Sequence, residues 1–116
     1  MKAYTSLEQS KKLAEIFPLE SADMHYATWT ILEGEFIVSP NQGSTIEDLQ
    51  EDFGNQIIPC WSLAALLDYL SANFRTDIKY LDNYWELDCR VQVTYSKELV
   101  DACYEMIAKL HEQKVL

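Results

Sequence analysis

Residues 84–95, YWELDCRVQVTY, restrict the fold of this chain more than any other stretch. Trp85, Leu87, Cys89, Val91, Val93 and Tyr95 alternate with Glu86, Asp88, Arg90, Gln92 and Thr94. A period of two puts every apolar residue on one side of an extended strand and every polar residue on the other. A helix has 3.6 residues per turn and would scatter the same residues around its axis. The stretch is therefore predicted to be one long strand with a buried face and a wet face. The rest of the chain must pair with it or cover it.

Its nearest partner precedes it. Residues 76–81 read as a strand with Ile78 and Tyr80 on one side, and Asp82-Asn83 supplies a two-residue turn that tolerates positive φ. The two segments form a predicted antiparallel hairpin, 76–81/84–95. A further strand is predicted within 26–38, where Trp29, Ile31, Phe36, Ile37 and Val38 favour extended backbone around a break near Glu33-Gly34.

The covering layer is helical. Helix 6–17 is offered two capping boxes, Thr5 with Glu8 and Ser6 with Gln9. Leu13, Ala14, Ile16 and Phe17 share one side, and Pro18 ends the helix. Helix 62–72 follows a lead-in of Ile57, Ile58 and Pro59 and takes Ser62 as its cap. Its Leu63, Leu66, Leu67 and Leu70 stripe carries a single charge, Asp68, which places it in the core. Helix 97–113, capped by Ser96, gathers Leu99, Ala102, Cys103, Met106, Ile107 and Leu110 on the side meant for the sheet. A short acidic helix, 46–53, follows the loop at 39–44, with Ser44 and Glu47 at its start and Gly54 at its end. The predicted fold is α+β: one domain over 1–116, a small antiparallel sheet, and helices 6–17, 62–72 and 97–113 on one face.

Charge narrows the function classes. Nine basic residues against nineteen acidic give a net charge of −10. Such a chain repels phosphate backbones, and no Lys/Arg cluster reverses this locally, so no direct nucleic-acid contact is expected. Three widely spaced cysteines, an odd number, do not make a disulfide framework. No apolar run has signal-peptide or membrane-spanning length, so a reduced, cytoplasmic protein without membrane attachment is expected.

No reactive constellation stands out. The soft ligands Cys60, Cys89, Cys103, His25 and His111 have no zinc-motif spacing, and Gly34, Gly43 and Gly54 form no phosphate loop, so no metal or cofactor is expected. Cys60 precedes a helix N-terminus, where a thiolate could be stabilised, but Pro59 and Trp61 beside it favour burial. Glu86 with Asp88, and Glu98, Asp101 and Glu105, are paired carboxylates that solvated faces of an acidic chain produce by chance. The aromatic residues are the surplus. Trp61 and Trp85 suit a core, whereas Tyr26, Trp29, Tyr84 and Tyr104 are the candidate interaction patch, since Tyr and Trp are favoured at interfaces.

Three segments, EQSKKLAEI…ESADM, IPCWSLAALLDYL and ELVDACYEMIAKLHE, resemble a group of small uncharacterised proteins carried by prophages and other mobile elements of gut-type bacteria. The resemblance implies a genetic context and no catalytic residues. Under it Ser62 is a cap, Leu63, Leu66, Leu67, Ala102, Met106 and Ile107 are core, and Trp61 is a packed anchor. The leading expectation is a non-enzymatic accessory protein that binds another protein, with a homo-oligomer compatible. Two alternatives stay open: a small enzyme using Cys60 or a carboxylate pair, and an acidic mimic of nucleic acid presenting Glu47, Asp48, Glu51 and Asp52.

Overall fold

Residues 1–28 and 35–115 of the computed structural model are described here, apart from the Asn55 side chain. In chain order they form α1 (Leu7–Ile16), β1 (Met24–Thr28), β2 (Phe36–Pro40), α2 (Ile46–Phe53), β3 (Ile57–Cys60), α3 (Leu63–Asn73), β4 (Asp77–Leu81), β5 (Tyr84–Asp88), β6 (Val93–Ser96) and α4 (Leu99–Glu112). The class is α+β, with the small antiparallel sheet present twice: β2-β1-β3 and β4-β5-β6.

The hairpin between β4 and β5 forms as predicted, but the long strand 84–95 does not. It folds back on itself at residues 89–92. Asp88 Oδ1 accepts from the Arg90 amide at 2.7 Å, the Val91 amide donates to the Cys89 carbonyl at 2.8 Å, and the Cys89 amide donates to the Gln92 carbonyl at 3.0 Å. These bonds close a γ-turn about Arg90, whose φ of 68° is uncommon for a residue with a Cβ. The reversal pairs Leu87 with Thr94, Glu86 with Tyr95 and Asp88 with Val93. Residues opposite one another share a face, so beyond the turn the sides exchange. Thr94 is buried, its hydroxyl bonded to the Ala102 carbonyl at 2.8 Å, while Tyr95 is 61% and Val91 56% exposed.

Local capping explains the other boundaries. Ser6 and Gln9 form the capping box of α1. Thr5, the competing cap, is buried instead, against Ser10 Oγ at 2.7 Å and the Trp61 amide at 3.2 Å. Helix α2 starts on Thr45 rather than Ser44, with Thr45 Oγ1 accepting from the Asp48 amide at 3.0 Å, and stops at Gly54 with φ 61°. Ser62 caps α3 as expected, its Oγ accepting from the Ala65 amide at 3.1 Å. Helix α4 begins two residues later than expected, after Glu98, and Ser96 accepts from the Glu98 amide instead of capping the helix. Residues 57–60 are a strand rather than a lead-in. Their β-branched pair suits extended backbone, and β3 lies at a sheet edge, where Pro59 needs no ladder donor.

The core lies among the helices and the inner face of the second sheet. Leu13 of α1 and Phe17 just after it, Leu66 and Leu70 of α3, and Leu99, Cys103, Met106, Ile107 and Leu110 of α4 meet Trp61, Leu87 and Cys89. Each fully buried aliphatic side chain contributes about 1.5–3 kcal/mol. Helix α4 packs on β5, β6, α3 and α1, whereas α1 packs on β3. The helices thus do not share one face of one sheet: the early reversal at Arg90 keeps the second sheet small and leaves β1 to β3 as a separate sheet reached through α1. Trp61 is fully buried, with Phe17 edge-on at 5.7 Å and its Nε1 donating to Ser21 Oγ at 2.9 Å. Among the described residues no helix is long and apolar enough to cross a membrane.

Candidate functional site

The second sheet combines exposed backbone with exposed apolar surface. Strands β4 and β5 are joined by Asp82 and Asn83, both at positive φ (53° and 69°), the geometry that matches the twist of a tight hairpin. The register pairs Ile78 with Leu87, Tyr80 with Trp85, Lys79 with Glu86 and Asp77 with Asp88. Ile78, Tyr80, Trp85, Leu87 and Thr94 therefore share one face, which α4 covers over β5 and β6. Leu87 in the middle strand is fully buried, yet Ile78 directly across from it is 40% exposed. β4 is a sheet edge, and every one of its residues is exposed.

The opposite face carries Lys79, Leu81, Tyr84, Glu86, Val93 and Tyr95. Leu81 is 63% exposed, and Lys97 Nζ sits 5.9 Å from the Tyr84 ring centre. Glu86, directly across from Tyr95, raises the Tyr95 phenol above its ordinary range by its charge and by hydrogen bonding. Beside the Tyr80–Trp85 rung, next to the turn end of the hairpin, an open depression of about 340 Å³ is lined by Met1, Tyr80, Trp85, Lys97 and Glu98, with the Tyr80 and Trp85 rings 4.8 Å apart. Chemically the surface offers aromatic rings, aliphatic side chains and, among the described residues, an unpaired strand edge, with scattered charges around them.

Of the four residues predicted as an interaction patch, Tyr84 lies on this surface. Tyr26 is in the other sheet, half-buried, its hydroxyl donating to the Thr5 carbonyl at 2.8 Å; burial, aided by Cys60 and Tyr4 nearby, pushes its phenol up to about 12. It pins the N-terminal segment. Tyr104 is half-buried on α4, beside an open groove of about 530 Å³ walled by Ser6, Gln9, Lys11, Lys12 and Glu15 of the first helix region. Trp29 lies outside the described residues. The structure therefore does not gather Tyr26, Tyr84 and Tyr104 at one place. Sequence reasoning missed Ile78, Tyr80, Leu81, Val91 and Tyr95. The signal for Val91 and Tyr95 was Asp88, whose side chain can cap a turn two residues on.

The other candidates resolve into structural roles. Cys60 is fully buried; burial raises its thiol pKa despite hydrogen bonds with Thr5, and Cys89 is raised for the same chief reason. Burial pushes Cys103 up to about 12. Protonated, shielded thiols are poor nucleophiles and poor ligands. His25 Nδ1 is bonded to Asn41 Oδ1 at 2.8 Å, and among the described residues no three His, Cys, Asp or Glu side chains are grouped to hold a metal. Asp101 resists ionisation through burial, but hydrogen bonds from Lys2 Nζ at 2.6 Å and Gln9 Nε2 at 2.8 Å, with the Lys2 charge, outweigh it and lower its pKa. Asp23 accepts from the Ser62 amide at 2.9 Å and from its hydroxyl, holding the start of α3.

Comparison of the chain with protein-family models, with curated proteins and with solved structures finds no match.

Proposed function

We propose that this protein is an acidic, cytoplasmic accessory factor that acts by binding protein, without catalysis, and that the outer face and edge of the second sheet are what it binds with. The carrying observation is the concentration of exposed apolar side chains there: Ile78, Tyr80, Leu81, Tyr84, Val91 and Tyr95. Large exposed patches of this composition on small domains mark association surfaces. The mobile-element context implied by the three resembling segments suits a small factor that works through a partner. The enzyme alternative is weakened by Cys60, whose sulfur is sealed in the interior.

A photo-crosslinking benzophenone residue in place of Tyr95 tests the reading, with one in place of the exposed Glu112 as control. Discrete covalent adducts from position 95 in cells, absent from position 112, are expected. Equal, diffuse labelling from both positions would sink the proposal.

A further inference from the structure

The open edge of β4 carries a register code. The two-residue turn closes on Leu81 and Tyr84 as a hydrogen-bonded pair, and such pairs alternate along an antiparallel ladder. Lys79 and Asp77 therefore spend their backbone groups on β5, while the amides and carbonyls of Ile78 and Tyr80 point outward. Neither proline nor a bulge blunts this edge, and its one basic residue is Lys79. On the exposed face Asp77 stands opposite Asp88, a like-charge pair that is unfavourable across strands.

We infer that a second copy of this chain adds to β4, antiparallel and centred on Ile78, joining two three-stranded sheets into one of six strands. The inference rests on the reading that this surface is for association, and it names the occupant of the edge. Side-chain charges select the register. Centring on Ile78 sets Asp77 of each copy against Lys79 of the other, twice by symmetry, at the closely spaced non-hydrogen-bonded positions. Each Lys79 then also answers the charge that Asp88 leaves uncompensated on Asp77. Ile78 meets Ile78 on the other face, removing apolar surface from water. Centring on Lys79 would oppose lysine to lysine, and centring on Asp77 would oppose aspartate to aspartate. Centring on Tyr80 would run Ile78 into the turn at Asp82 and shorten the ladder. Registers centred between residues would set outward-pointing amides against inward-pointing ones. The contact is short, so a dimer of about micromolar affinity is expected.

Sedimentation or light scattering on the full chain over a broad concentration range tests this, with circular dichroism as the fold check. Wild type should move reversibly between monomer and dimer. D77K and K79D, each placing like charges at both contacts, should weaken the dimer by about tenfold or more. Mixing the two variants should restore a heterodimer, and the double variant D77K/K79D should restore the homodimer. Since D77K also removes the repulsion with Asp88, its loss of dimer should come with undiminished stability. A wild type that stays monomeric overturns the inference, as does a dimer indifferent to both reversals or one not recovered in the mixture. A monomer that still gives adducts with other proteins from position 95 would leave the binding function standing and remove only the second copy.

Discussion

The two sheets have the same number of strands and opposite treatment at their edges. In the first, β3 is clothed: α1 packs on it, and the N-terminal segment runs beside the chain that leaves it. Tyr4 bridges to Ser62, the Thr5 amide donates to the Trp61 carbonyl at 3.0 Å, and the Leu63 amide donates to the Ala3 carbonyl at 2.9 Å. Its other edge, β2, ends on Pro40, which has no donor, and Lys11 sits 5.9 Å from the Phe36 ring centre. In the second sheet β4 has no such cover among the described residues, and all five of its residues, Ile78, Tyr80 and Leu81 included, are exposed. Sheet edges left open are a liability that folded proteins usually block. On the proposed reading the two sheets serve different ends, the closed one integrity and the open one contact.

Substitutions can break or sharpen this contrast. The largest effect should come at the seam of the first sheet. Trp61→Ala removes the largest fully buried side chain and should destabilise the fold by about 3–5 kcal/mol, read from urea unfolding. A loss under about 1 kcal/mol would show that the first sheet is not anchored there. Next comes a pair on one face of the second sheet. Leu87→Ala should cost about 2–4 kcal/mol, while Ile78→Ala, one strand away, should cost under about 1 kcal/mol in dilute monomer. Equal costs would mean that β4 is covered after all.

The smallest effect should be at Asp101, which ties the N-terminal segment to α4. Both partners of the Lys2 pair keep about a third of their surface in water, so screening leaves Asp101→Asn costing only about 0.5 kcal/mol at neutral pH. The sign follows from its lowered pKa. The stabilisation is complete above the unfolded carboxylate value near about 4 and disappears as pH falls through the lower folded value. Wild-type and variant stabilities should therefore differ at neutral pH and converge in strong acid. Curves that stay apart in acid would mean that the variant acts through something other than this ion pair.

What the sequence made legible follows from which signals are local. Helix starts at Ser6 and Ser62 could be read because a cap and its partner lie three residues apart. The β4–β5 hairpin was legible because Asp82-Asn83 advertises positive φ. The turn at 89–92 was hidden, because Arg90 adopts positive φ without glycine or asparagine and the apolar alternation runs on through it. That one reversal moved Tyr95 from an expected core position to the surface and divided the sheet. The candidate site was mostly illegible for a different reason. Whether Ile78 is wet or dry depends on how far α4 reaches across the sheet, and no property of residues 76–81 records that.

The three cysteines carry a consequence of their own. Cys60, Cys89 and Cys103 are each at most 2% exposed, in β3, beside β5 and in α4. Oxidants in the surroundings have no direct hold on these sulfurs while the chain is folded. Chemical damage to them must wait for a part of the molecule to open, so oxidation would record past unfolding rather than cause it.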